Sequence, residues 1–467
     1  MTKEKHSTTK YTLIILIFLT GLCFLLNKDT DHDVYHYLIY GRDIMETGIP
    51  YINIHNIEPE LKIVLQEWLY DYIIYGIYKL TGWVGLTVYE IILFAVIFIL
   101  VYRILANKIT NTAWLIISLT LVIFPIALLF SLRAQFISII LFLLQIYFIE
   151  TKHNKWVFPL LLLLEINLHG SFWIFHYVLL LPYIVPWVKN RQINKKSIII
   201  TAIYSLPIML LNPYGLDIIL YPFKAYNSQL TSLGILELKQ FGLWSIPSFY
   251  ILIAVFIFVR LIKDVDNIEF YMFIGLLVLS VIHKRNLYFI SFALLYILTN
   301  DVLLEKINKL AIKYKDELED FSNSISKAIK ILIYSLSVFL LLCFNIIYFT
   351  SKVSSNEKHN YTNICTYLEE NNIEEVFTTF NTGTYLEWMG YKVFIDSCPE
   401  VFSIKINEKR DILTEYINRS ENNYALLDNY PYICTDESLI KKELNYRENW
   451  ELVAKDEDTV LYKHKGK

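Results

Sequence analysis

The sequence predicts a polytopic α-helical membrane protein of about eleven spans, with a small α/β domain at its C-terminal end outside the membrane. Three observations predict it. Apolar runs of about 17–20 residues recur along the 467-residue chain, the length that crosses a hydrocarbon core of about 30 Å. Charged residues make up 19% and hydrophobic residues 55%, with a mean hydropathy of +0.41, against roughly 25% and 45–50% in ordinary soluble proteins. Hydropathy then falls sharply after Phe349, where short β-like and helical stretches begin to alternate. The net charge of −3 is too small to point to nucleic acid. Cys23, Cys343, Cys365, Cys398 and Cys434 form no CxxC pair, so no metal framework is visible. Cys365, Cys398 and Cys434 share the tail and leave one disulfide and free thiols equally open. There is no Walker loop, no GxGxxG and no repeat.

The elements follow in order. Tyr11–Leu26 is the first span; no small-residue cleavage site follows it, so it reads as a retained anchor. Further spans are expected at Val84–Ala106, Thr112–Phe130, Ala134–Ile149, Trp156–Gly170, Phe172–Val188, Ser197–Leu211, Ile246–Ile262, Ile268–Ile282, Asn286–Thr299 and Ile329–Phe349. The stretch "LQEWLYDYIIYGIYKL", residues 65–80, is apolar but carries Glu67 and Asp71. It either spans weakly or lies on the surface as an amphipathic helix. Basic residues decide. With a surface helix at 65–80, the inner side collects Lys3, Lys5, Lys10, Arg103, Lys108, Lys152, Lys155, Lys189, Arg191, Lys195, Lys196, Arg260 and Lys263, and the lysines of the helical linker 301–327. A spanning segment would reverse the bias. The N-terminus is therefore expected on the cytoplasmic side of the cell membrane and the tail outside. Residues 1–350 form the membrane domain, with a first outer loop at 28–64, and residues 351–467 the extracytoplasmic domain. In that tail "EVFTTF", "YKVFID", "YALLD" and "TVLYKH" read as strands, and "YTNICTYLEENN" and "DESLIKKELN" as helices.

This topology gathers the unusual polar residues on one face. They are Asp29, then Asp31, Asp33 and His36 in "DHDVYHYLIYGRD", Glu67 at the start of the surface helix, and Arg133 in "SLRAQFIS". His169 in "INLHGSF", the loop from "NPYG" at Asn212 to Ser245, and Lys284 and Arg285 in "HKRN" complete the set. Charges beside a bilayer are costly and tend to mark function. Plainer readings exist for each. The aspartates suit a solvated loop, the histidines suit structural hydrogen bonding, and Arg133, Lys284 and Arg285 suit lipid-headgroup anchoring. Glu165 lies within a span and is expected to serve packing between helices. A transporter would place ionisable residues in mid-membrane on several spans, whereas here only Glu165 is deep.

The order of the segments Asp33–Asn53, Gln66–Leu86, Ser131–Ser138, Glu165–Trp173, Leu211–Gly215 and Asn381–Phe402 resembles bacterial integral membrane glycosyltransferases of the GT-C superfamily. The resemblance covers most of the chain and rests on order rather than on any one motif. In that branch an arginine often follows the tail aspartate and "RPQ" is commoner than "RAQ"; here Ser397 and Cys398 follow Asp396, and Ala134 follows Arg133. The resemblance implies a polyprenyl-phosphate sugar donor held in the membrane, with transfer at the outer face to a glycan, lipid or protein acceptor, most simply with inversion. A polysaccharide polymerase or ligase using lipid-linked oligosaccharide is the neighbouring activity, and a flippase the alternative class. It also implies an acid of the first outer loop, Asp33 with Asp31 close by, as base or metal ligand. Glu67 could hold the acceptor or a divalent metal ion. Arg133, Lys284 and Arg285 are the candidates for the leaving phosphate, and His36 and His169 for phosphate or sugar hydroxyls.

Overall fold

The computed structural model describes the chain apart from Met1, Asp29, residues 153–155, 185–194, 226–245, His283, residues 315–316, 318–325, 358–360, 419–424 and Lys467, and apart from the side chains of residues 2–8, 151–152, Lys195, Ser197, residues 246–249, Asn267, Arg285, Lys327 and Glu357. The expectations on Asp29, His283, the side chain of Arg285 and much of the loop to Ser245 lie outside the described residues. Among the described residues, four helices are long and apolar enough to cross a membrane: Thr9–Leu26, Trp68–Lys108, Thr112–Leu129 and Ala328–Asn356. Seven further apolar helical segments, of 10–17 residues, run between Gln135 and Leu298.

Helix α1 (Thr2–Leu26) is apolar from Tyr11 onward, and α2 (Asp33–Thr47) follows it in the first loop. Lys28, between the two, donates from Nζ to the carbonyls of Ala127, Leu128 and Phe130, at 3.0, 2.6 and 3.1 Å. Those are the orphan carbonyls at the end of α4 (Thr112–Leu129), a helix started by Asn111, whose side chain accepts from the Trp114 amide.

The stretch read as a surface helix is the first part of α3 (Trp68–Lys108). Gly82 breaks that helix with φ 62° and ψ −153°, a conformation open almost only to glycine, so the stretch before it is separate from the apolar stretch after it. It is not laid on an open surface: Tyr70, Asp71 and Ile74 are buried, and α2 packs along it. A Cβ on Gly41 of α2 would lie 2.2 Å from the Asp71 carbonyl oxygen, so the two backbones meet closely because Gly41 has no side chain.

Helices α5 (Gln135–Tyr147) and α6 (Val157–Leu168) follow, then shorter pieces α7 (Trp173–Val178), α8 (Leu181–Ile184) and α9 (Lys195–Ser205), where longer spans are expected from hydropathy. Next come α10 (Leu216–Ala225), α11 (Ile246–Leu261), α12 (Asn267–Ile282) and α13 (Phe289–Leu298). Asp301–Lys313 is the helix α14, in agreement with the helical linker expected there.

The last span, α15 (Lys327–Glu357), runs past the expected boundary at residue 350. Lys352 continues it and makes a buried ion pair with Glu90 of α3 at 2.8 Å, so the helix stays packed against the bundle where hydropathy alone ends it. The first loop holds a two-stranded sheet, β1 (Ile52–Asn53) and β2 (Leu61–Lys62), and the tail domain carries a five-stranded sheet in the order β4 (Lys392–Val393), β3 (Glu375–Thr378), β5 (Tyr432–Thr435), β7 (Thr459–His464), β6 (Trp450–Asp456). The first three strands are parallel and the other pairings antiparallel. "YALLD" is not a strand: Leu427–Asn429 is a 3₁₀ turn, and the strand lies five residues on in "YICT". All five cysteines are free thiols.

The first loop is bound to this sheet. Asn56 donates to the carbonyls of Val393 and Phe394 at 2.8 and 3.0 Å, and the Ile57 amide donates to the Val393 carbonyl at 3.0 Å. Around it, Lys62 pairs with Asp217 of α10 and Glu408 of the tail, both at 2.9 Å, and Arg410 pairs with Glu58 at 2.6 Å. The first loop, the "NPYG" turn and the tail domain therefore meet at one end of the bundle.

Candidate active site

Three breaks in helical structure bring charged side chains to that end. Asp33 opens α2, where a carboxylate suits the exposed amides of a first turn. Arg133 lies in the short turn between α4 and α5, flanked by the buried Leu132 and Ala134. Its guanidinium pairs with Asp31 and lies 3.1 Å from Asp33. The Asp33 amide itself donates to Asp31 Oδ1 at 3.3 Å, so the two acids and the arginine are one unit. All three side chains keep some exposure, between 16% and 27%, so the unit is open to a ligand.

Glu67 immediately precedes α3, and His169 follows the last turn of α6. Their side chains meet at 3.3 Å, Glu67 Oε1 to His169 Nε2. The backbone locks this meeting, since the Gly170 amide donates to the Gln66 carbonyl at 2.7 Å, and a Cβ on Gly170 would lie 2.4 Å from Ile218. Trp68 adds a bond from Nε1 to Asn167 Oδ1 at 3.1 Å. Burial pushes the Glu67 carboxyl up to about 8, the carboxylates of Asp33 and Glu400 add to this, and a hydrogen bond from Tyr37 opposes it.

Behind His169 a polar chain enters the bundle. His169 Nδ1 lies 2.8 Å from Ser138 Oγ, which donates to Glu165 Oε1 at 2.5 Å. Glu165 Oε2 lies 3.0 Å from His176 Nε2, and His176 Nδ1 lies 2.5 Å from Gln145 Oε1. Glu165 is fully buried and thus finds its partners between helices, as the sequence suggests. The chain also fixes the orientation of the His169 ring, which stacks on Phe172 at 4.0 Å.

Asp31, Asp33, Arg133, Glu67 and His169 are thus brought together. His36 is one turn along α2 but sits elsewhere, buried against Tyr40 at 4.6 Å and close to Asp396 and Cys398 of the tail. Burial pushes its imidazole down to about 3, so it is a neutral group among tail residues rather than a cationic partner for phosphate. Lys284 lies half-buried in the turn Lys284–Asn286, and among the described residues no ion pair joins it to Asp31, Asp33 or Glu67. Three neighbours are missed by the sequence reading. Tyr37, Ser138 and Glu400 all fall inside quoted segments, and the i, i+4 spacing of Tyr37 from Asp33 is the one available signal.

A divalent metal at Asp33 and Glu67 has a simple geometric test. Among the described residues, one group of three donor side chains brings its ligand atoms within 4.8 Å of one another, and it is His36, Asp396 and Cys398. Asp31 and Asp33 face a guanidinium instead. The residues of the Asp33 site as they stand do not form a three-ligand cage, and no step below runs through a metal there.

No protein-family model and no curated protein sequence matches the chain. A solved structure does. The fold is similar to that of the archaeal oligosaccharyltransferase AglB from Archaeoglobus fulgidus, in complex with an inhibitory peptide and a dolichol-phosphate. The TM-score is 0.53, over 92% of this chain and 70% of that one, at 10% identity. The likeness is one of fold, and it agrees with the coarse expectation of a mostly helical membrane architecture carrying a C-terminal sheet domain.

Proposed function

We propose that the chain is a membrane glycosyltransferase. It moves a sugar from a polyprenyl-phosphate donor to an acceptor hydroxyl at the outer face of the membrane. The observation that carries this is the Asp31–Asp33–Arg133 unit, partly open and beside Glu67, at the end of an apolar bundle. The AglB-like fold supports the same reading.

The chemistry is an inverting displacement. The acceptor O–H proton passes to the Asp33 carboxylate as the oxygen bonds to the anomeric carbon. The bond from that carbon to the phosphate oxygen breaks, and its electron pair leaves with the phosphate. Charge grows on the phosphate as this happens, and a guanidinium fork is suited to hold it. Attacking and leaving oxygens lie on opposite sides of the anomeric carbon. Arg133 touches Asp33 in the resting site, so one of the two must move. The donor phosphate exchanges for the aspartates as the partner of Arg133, and this frees Asp33 to receive the proton.

A second reading is favoured by one observation, the raised carboxyl of Glu67. A base works best with a pKa near the operating pH, and Glu67 stands at about 8. Substitution separates the two. Asp33→Asn abolishes transfer with insertion intact, and Asp31→Asn has a smaller effect. If Glu67 is the base, the rate climbs as pH rises toward 8, because only the deprotonated form accepts a proton. A wild-type-like rate in Asp33→Asn, a dead Glu67→Gln and that pH limb together move the base to Glu67.

A further inference from the structure

One to two turns along α2 from Asp33, the helix presents a second cluster that transfer does not use. His36 and Tyr40 are one turn apart on this helix, and both reach the tail domain. There His36 Nδ1 is buried without a hydrogen-bond partner, and the buried carboxyls of Asp396 and Glu387 face each other across a shared hydrogen bond. A buried polar atom left unsatisfied is costly, so His36 Nδ1 beside a buried acid and a thiol calls for an explanation. Among the described residues no lysine or arginine pairs with Glu387 or Asp396, although both side chains are fully buried.

We propose that His36, Asp396 and Cys398 bind a divalent cation of the zinc class. The three ligand atoms lie within 4.8 Å of one another. In a tetrahedral zinc shell, with metal–ligand distances of about 2.0–2.3 Å, the ligand atoms are about 3.3–3.8 Å apart, so a small contraction closes the site. The donor set decides the metal. One imidazole nitrogen, one thiolate and one carboxylate oxygen suit zinc, whereas magnesium and calcium take oxygen alone. A supporting bond already aims the Asp396 carboxylate: the Cys398 amide donates to Asp396 Oδ1 at 2.7 Å, and Oδ2 exchanges its contact with Glu387 for the ion. The bound ion clamps α2, and with it Asp33, to the tail domain.

The rival explanation is a proton shared between Glu387 and Asp396. Elemental analysis of the full-length protein, purified in detergent without chelators, separates the two, together with replacement of the native metal by cobalt. The clamp gives one zinc per chain and, with cobalt, a thiolate-to-cobalt charge-transfer band in the near ultraviolet. The band and the zinc are lost in Cys398→Ser and in His36→Gln and kept in Cys343→Ser, whose cysteine lies on α15. Cys398→Ser is nearly isosteric, so it keeps the test readable if His36→Gln fails to fold. A metal-free wild type that gives no band with stoichiometric cobalt overturns the proposal, as does a band that survives Cys398→Ser. Either result leaves the transfer reading untouched, because that reading is tested by donor cleavage.

Discussion

At the scale of residues, the proposed function assigns recognition of the donor's charge to Arg133. It sits between two aspartates at the end of an apolar helix, where a lipid phosphate would lie at headgroup depth. Arg133→Ala is expected to weaken apparent donor affinity about ten- to a hundredfold, from roughly 1.5–3 kcal/mol for a charge-assisted contact. Acceptor affinity should change less. Arg133→Lys should recover only part, since lysine keeps the charge and loses the planar fork. Donor titration of the three proteins checks this, and an unchanged alanine variant returns Arg133 to the role of an interfacial anchor. Asp31, Asp33 and Arg133 are legible in the sequence because charges beside apolar runs stand out. Ser138, Tyr37 and Glu400 are not, because a hydroxyl in a hydrophobic helix looks like packing, a tyrosine looks like the aromatic belt, and an isolated tail acid looks solvated. The partnership of His36 with Asp396 and Cys398 spans some 360 positions of chain, and no local pattern encodes it.

At the scale of elements, the contact of α2 with α3 sets the position of both Asp33 and Glu67. Two glycines on this pair make opposite predictions. Gly41→Ala places a methyl 2.2 Å from the Asp71 carbonyl oxygen and should destabilise the protein by about 1–3 kcal/mol as the helices part. Gly76→Ala meets nothing nearer than Met45 Cε at 3.8 Å and should be neutral or stabilising, by up to about 1 kcal/mol from helix propensity. Thermal unfolding in detergent compares them, and equal effects would mean that the close approach of α2 to α3 does not govern stability. Here the sequence is read well in part. The tyrosine-rich stretch is separated from the following apolar run by Gly82, and glycine is the visible signal of that break. Burial of the same stretch by α2 and the tail comes from distant segments and escapes local hydropathy. Strand β5 escapes for a related reason. It is four residues long and central in its sheet, whereas "YALLD" has a strand-like composition and forms a turn.

At the scale of the whole molecule, the first loop, the "NPYG" turn and the tail domain meet at one end of the bundle, joined by Asn56 to Val393 and by Lys62 to Asp217 and Glu408. Which side of the membrane that end faces is argued from the basic residues. Reporter fusions should place position Ser197 inside and position Glu374 outside, and an inner location for Glu374 would invert a span and dismantle the one-face site. The class of activity is the central claim, and release of polyprenyl phosphate tests it most directly. Purified protein in liposomes, with the Asp33→Asn variant as control, is given a polyprenyl-phosphate sugar labelled in both the sugar and the lipid, together with a membrane extract that supplies acceptor hydroxyls. Transfer predicts free polyprenyl phosphate from the wild type and none from the variant. Movement of intact lipid between leaflets, with no cleavage by either protein, would contradict it.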